Sequence, residues 1–220
     1  MSNNYQDSCW FLFRRFLGRH IGNRWIQIVI ALKTDYQFEK IYGDFHFGKS
    51  YRKKSVEGLK QESGKVYGGI IKFIESISNQ QDIILLPGEN SSVKFVYSNL
   101  FNLPQEKIIT TGIMDDMDLY WDFNDSPQTD QKYSCIISQS MLEHLINPYK
   151  HISDCANLLK PNGHMIIHTM MPGFDYHRHP IDCLRFYPDW FEVVSERLGL
   201  EVTDKYIHNS RITYMLKKPG

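Results

Sequence analysis

The chain has 220 residues, enough for one large domain, or one domain with an N-terminal extension, built around a continuous core. Lys+Arg 25 against Asp+Glu 25 gives a formal net charge of +0, so no global field recruits nucleic acid or an anionic membrane. A hydrophobic fraction of 42% marks a globular protein, and the four cysteines, Cys9, Cys135, Cys155 and Cys183, form no CxxC pair, which argues against a disulfide framework or zinc finger and for reduced thiols in the cytoplasm.

The first stretch, "SCWFLFRRFLGRHIGNRWIQIVIALKTDYQF", mixes aromatics and arginines at helical spacing. Three readings stay open for it: a helix packed on the domain, a membrane-surface or partner-binding segment, and a targeting presequence. Its most apolar run, "WIQIVIAL", is too short to span a bilayer, so neither a transmembrane helix nor a secretory signal is expected. "GKSYRKKSVEGLKQESGK" reads as a linker and exposed helix face rather than a nucleic-acid site. Residues 1–65 are therefore taken as a helical extension and residues 66–220 as the main domain.

From there the pattern alternates. "KVYGGIIKFIESISN" has the apolar spacing of a helix, "DIILL" is a strand, "SSVKFVYSNLF" a helix and "KIITTGI" a strand. "MDLYW" is a short strand and "YSCIISQS" a buried one. "NPYKHISDCANLLK" is a helix capped by Asn147 with Pro148 at its first position, and "GHMIIHTMM" is a further strand. "YPDWFEVVSERLG" is a helix closed by Gly199, and "LEVTDKYI" with "RITYMLKK" forms a final strand pair around "HNS". Nearly continuous apolar strands alternating with helices predict an α/β fold with a mostly parallel sheet covered on both faces. In such a sheet a ligand crevice opens at the carboxyl ends of the strands where the winding reverses, so the loops after "DIILL", "KIITTGI", "DLYW" and "YSCIISQS" are the ones that matter.

The segment "YSCIISQSMLEHLINPYKHISDCANLLKPNGHMIIHT" resembles, in order, spacing and residue type, the fourth strand, Leu-Glu-His turn, Pro-opened helix, Leu-Lys-Pro-Gly-Gly-like turn and fifth strand of class I S-adenosylmethionine-dependent methyltransferases with a type 11-like domain. "HRHPIDCLRFYPDWFEVVSERLGLEV" resembles a subgroup with His-Pro-x-Asp-x-x-Arg-Phe after the fifth strand. The likeness covers about residues 66–217. It implies a Rossmann-like sheet, mostly parallel with an antiparallel last strand, and S-adenosylmethionine as cofactor.

The resemblance also implies site residues. "LLPGENSS" stands where the family has an acid and two or three glycines; Gly88 allows close backbone approach, and Glu89 stands in for the acid that accepts from the methionine amino group. After the second strand, where the family places a ribose-binding acid, come Met114, Asp115 and Asp116; either acid serves with a shifted turn, Asp115 being the candidate, or the ribose contact is lost. In "YWDFND", Asp122 is the candidate for the adenine amino group and Phe123 for covering the ring, against the plainer reading of Asp122 as a turn cap. Gln139, at the end of the fourth strand, completes the cofactor set. Glu143 and His144 are either ligand contacts or structural, His144 then capping the nearby helix. Ser134 replaces an Asp common in relatives, at a position concerned with sheet packing.

"HTMMPGFDYHRHPIDC" holds His168, His177, His179, Asp182 and Cys183, enough ligand types for a metal but not at zinc-site spacing, so no metal is expected. Instead His179 or His177 serves as general base in a substrate pocket with Asp182 orienting it, or Asp182 and Arg185 form a buried ion pair that fixes the loop. The expected activity is methyl transfer to a small-molecule or metabolite acceptor. Two readings compete with it: an inactive methyltransferase-fold scaffold whose cofactor loop has eroded, and an RNA methyltransferase using the basic N-terminal third, including Arg14, Arg15, Lys53 and Lys54.

Overall fold

The computed structural model describes residues 68–174, 176–177, 181–208 and 210–220. The expected extension over 1–65 and the candidate base His179 lie outside the described residues. In chain order the elements are α1 (Gly68–Ile77), β1 (Ile84–Pro87), α2 (Lys94–Phe101), β2 (Ile108–Gly112), β3 (Leu119–Tyr120), β4 (Tyr133–Gln139), α3 (Pro148–Leu158), β5 (Leu159–Met170), α4 (Pro188–Leu198), β6 (Glu201–His208) and β7 (Arg211–Lys217).

The strands form one seven-stranded sheet in the order β3-β2-β1-β4-β5-β7-β6. Pairings among β1 to β5 are parallel, whereas β7 runs antiparallel to both β5 and β6. The antiparallel strand expected at the end of the chain is thus inserted between β5 and β6, because the β6–β7 hairpin folds back against the long β5. Winding reverses between β1 and β4, so the crevice opens beside their carboxyl ends.

Side-chain alternation along the strands sorts the core into two layers. On one face Ile84, Leu86, Cys135, Ile137, Ile166 and Met215 pack against Ile70, Phe73, Ile74 and Ile77 of α1 and Tyr97 and Phe101 of α2. The α1 set falls at i, i+3, i+4 and i+7, one stripe of a helix. On the other face α3 buries His151, Ile152 and Cys155, and Phe191 of α4 stacks on Tyr214 of β7 at 4.6 Å between ring centroids.

Local chemistry sets the boundaries. The Asn147 side chain accepts from Lys150 N at 3.1 Å to cap α3, with Pro148 at its first position. Gly199 ends α4 in the left-handed region. In "LLKPNG" the left-handed residue is Asn162, at φ 61°, while Gly163 meets a different need: a Cβ there would lie 2.8 Å from the Lys160 carbonyl and 3.1 Å from that of Ser134. The Ser134 hydroxyl accepts from the amides of Asp82 and Ile83 and donates to the Ile83 carbonyl, tying the start of β4 to the entry of β1.

Candidate active site

The crevice floor is the turn after β1. Gly88 has φ 81°, a region that L side chains rarely adopt, and its amide donates to the Thr111 carbonyl at 2.8 Å, holding it against β2. A Cβ on Gly88 would fall 2.2 Å from the Met141 Sδ, so the thioether end of Met141 lies directly over the glycine. Gly112 at the end of β2 is covered similarly by Met117. What brings Met141 there is Ser140, a non-glycine residue at φ 49°, whose amide donates to the His168 carbonyl and whose hydroxyl pairs with the same residue's Nδ1 at 3.2 Å.

Glu89 follows Gly88, half-buried on the rim of a cavity of about 220 Å³ whose other walls include Ile70, Val93, Val96, Tyr97 and Gln139. Burial in this apolar lining pushes the Glu89 carboxyl up to about 7. The Gln139 amide oxygen accepts from the Tyr97 hydroxyl at 3.3 Å, fixing the end of β4 on the same cavity. The structure therefore brings Glu89, next to Gly88, together with Gln139 from a distant stretch of sequence.

Asp115 is exposed in the turn after β2, and the neighbouring Asp116 carbonyl accepts from the Ser91 hydroxyl, which pins this turn to the one after β1. The third acid of the stretch, Asp118, is committed to structure: one oxygen accepts from both the amide and the hydroxyl of Thr110, and the other pairs with Lys94 at 2.5 Å. Asp122 accepts from Asn124 N and Nδ2 through Oδ1, the turn-capping arrangement, which leaves its Oδ2 for another partner. Phe123 is only 5% exposed and packs edge-on against Trp121 and His151, so its ring stiffens the wall behind Asp122. A second cavity of about 240 Å³ opens between Thr111, Tyr120, Trp121 and Gln128.

On the acceptor side, the Asp182 side chain is 1% exposed and pairs with Arg185 through both oxygens, while its Oδ2 also accepts from His177 N at 2.7 Å. The Arg185 guanidinium holds this carboxyl well below the usual range. Asp182 thus fixes the loop, and His177 approaches it through Nδ1 at 3.5 Å. His144 donates from Nδ1 to the Ile181 carbonyl and does not cap α3, whose cap is Asn147. Of the histidine-rich cluster, His168 is buried inside β5 and held down to about 4 by burial and Arg211, and Cys183 is exposed. Sequence reasoning underrated Glu143: it is fully buried, and its carbonyl accepts from the amides of Cys183 and Leu184, joining the turn after β4 to the loop after β5. A charged residue in an otherwise apolar Met-Leu-x-x-Leu turn was the signal for it.

The strand order, the crevice at the reversal and the helices on both faces define the class I methyltransferase fold. A methyltransferase domain family model matches residues 118–167. Among solved structures, the chain is similar to a SAM-dependent methyltransferase from Archaeoglobus fulgidus at 13% identity, covering 74% of this chain and 100% of that one with a TM-score of 0.52. It is similar to the CcbJ methyltransferase of Streptomyces caelestis at 11% identity, covering 70% and 95% with a TM-score of 0.55. It is also similar to DesVI of Streptomyces venezuelae at 12% identity, covering 74% and 94% with a TM-score of 0.55. No curated protein matches the chain in sequence. Among the described residues no helix is long and apolar enough to cross a membrane.

Proposed function

We propose that the chain is an S-adenosylmethionine-dependent methyltransferase of the cytoplasm acting on a small-molecule or metabolite acceptor, of the subgroup with a His-Pro-x-Asp-x-x-Arg-Phe segment. The observation that carries the reading is the turn after β1, where Gly88 sits at positive φ and Glu89, next to it, shares a cavity with Gln139 at the end of β4. The residues fit the cofactor: the atoms nearest the space over Gly88 belong to the flexible Met141 side chain, and Glu89 has no hydrogen-bond partner among the described residues.

Bound there, S-adenosylmethionine supplies an electrophilic methyl group on a sulfonium. Gly88 lets the backbone approach it, Glu89 accepts from its amino group once ionised, and Asp115 accepts from the ribose hydroxyls. Asp122 uses Oδ2 for the adenine amino group, with Phe123 behind it. Transfer to an acceptor is then a matter of alignment and water exclusion, which needs no strong base. His179 takes the acceptor proton where the acceptor carries one, and Asp182 positions the loop that bears it. Reduced thiols suit the cytoplasm: Cys135, Cys155 and Cys183 are all free.

Met141 over Gly88 favours one rival, a scaffold that has lost its cofactor. Calorimetry and thermal melting with S-adenosylhomocysteine separate the two. The enzyme reading expects saturable heat and a higher Tm, both abolished by Gly88→Val and strengthened by Met141→Ala, which clears the cradle. Absence of heat and of a Tm rise in both the natural protein and Met141→Ala refutes it.

A further inference from the structure

We propose that Glu143, His144 and His177 form a divalent transition-metal site beside the cofactor crevice. Their ligand atoms all lie within 4.8 Å of one another. Glu143 is 0% exposed; its Oε2 accepts from the Thr169 hydroxyl at 2.6 Å, whereas its Oε1 has no hydrogen-bond partner among the described residues. That oxygen stands 3.7 Å from His177 Nε2 and 3.9 Å from His144 Nε2. A buried carboxylate oxygen left without a donor is costly, and a cation seated among these atoms removes the cost.

The tautomers agree. A carbonyl only accepts, so His144 carries its proton on Nδ1 for the Ile181 carbonyl, and His177 turns its Nδ1 toward the Asp182 carboxylate at 3.5 Å. In a neutral His144 ring the lone pair then sits on Nε2, and in both rings Nε2 is the atom that faces Glu143. An imidazole oriented by an oxygen acceptor on its far nitrogen is the arrangement that metal-ligating histidines adopt. Two imidazoles and one carboxylate suit zinc and similar divalent ions over magnesium or calcium, and they leave a coordination position open. Bonds of about 2.0–2.2 Å place neighbouring tetrahedral ligand atoms about 3.3 Å apart, so the Glu143 contacts need to close by about half an ångström and the widest pair, within 4.8 Å, by up to about 1.5 Å through side-chain rotation.

The supports are already built. Arg185 holds Asp182, Asp182 holds His177, and the Glu143 carbonyl receives Cys183 N at 2.8 Å and Leu184 N at 3.2 Å. Glu143 lies two residues after Met141, the side chain over Gly88, in the same turn after β4 that borders the crevice. The site's open position takes an oxygen or nitrogen of the methyl acceptor. This use rests on the methyl-transfer reading; the metal site itself does not.

The test is cobalt(II) titration of the full chain, purified without a histidine tag and without cofactor, followed by visible d–d absorption, with bound zinc measured by mass spectrometry after dialysis. One ion per folded chain is expected. Binding should be lost in Glu143→Gln and His177→Gln and kept in Cys183→Ser. His177 is 34% exposed, so its variant carries the test if Glu143→Gln fails to fold. A folded protein that takes up no cobalt, or whose uptake survives His177→Gln or disappears with Cys183→Ser, overturns the assignment; in the first case the cluster is an ion network in which a protonated His177 bridges Glu143 and Asp182. Metal content is read without a methyl donor, so its failure leaves the S-adenosylhomocysteine result standing, and the converse also holds.

Discussion

Replacing Glu89 by Gln should stabilise the cofactor-free protein at alkaline pH while weakening cofactor binding. The carboxyl is pushed from 4.5 up to about 7 by burial alone. Between these values the folded chain keeps a proton that the unfolded chain releases, so stability falls as pH rises and the full penalty is present above about pH 7. At about 1.36 kcal/mol per unit, the shift costs about 3 kcal/mol at pH 8 and about 1 kcal/mol at pH 5. Glu89→Gln lacks the charge and escapes this cost. With about 2–4 °C per kcal/mol for a chain of this size, its Tm should exceed that of the natural protein by roughly 6–12 °C at pH 8 and by much less at pH 5. Urea titrations at the two pH values give the same comparison in free energy. An equal gain at both, or a loss at pH 8, would show that the Glu89 carboxylate is not desolvated and that the cavity is wet. A carboxylate held in an apolar pocket at such cost is what an incoming ammonium group neutralises, so S-adenosylhomocysteine should bind more weakly below pH 7, and that pH dependence should vanish in Glu89→Gln.

Three further outcomes follow from the packing. His151 is fully buried and held down to about 3 by burial and by Lys150, so its stabilising contribution is complete above pH 6.5 and is lost as pH falls toward 3; about 2 kcal/mol of it is gone by pH 5, and His151→Gln should flatten that part of the acid limb in denaturant titrations. Arg185→Met strands a buried Asp182 carboxylate and should cost about 3 kcal/mol, most of it regained in the double variant with Asp182→Asn, as measured by urea unfolding. Gly163→Ala should destabilise the protein at any pH, because its Cβ would press on two backbone carbonyls that cannot swing aside; calorimetric melting unchanged from the natural chain would contradict the geometry of that turn.

The fold was readable because its signals are local and repeated. Asn147 with Pro148, Gly199 and the i, i+3, i+4, i+7 stripe of α1 each act within one or two turns, and the apolar runs of β1, β4 and β5 have only one way to be buried on both faces. The ends of β1 and β4, beside Gly88, Glu89 and Gln139, were likewise readable as borders of the crevice. The fates of the acids were not. Asp118 and Asp115 look alike in sequence, yet the lysine at 94 and the amide at 110 claim the first and leave the second in solvent.

The sequence by itself determined the strand and helix order and the loops that border the crevice, since these follow from periodicity and capping within short windows. Only the tertiary structure decided that Met141 lies over Gly88, that Asp182 belongs to Arg185 and that Glu143 meets His177 across 34 residues of chain. Such pairings depend on which distant groups the sheet brings within a few ångströms, and the partners' own sequences carry no trace of that distance.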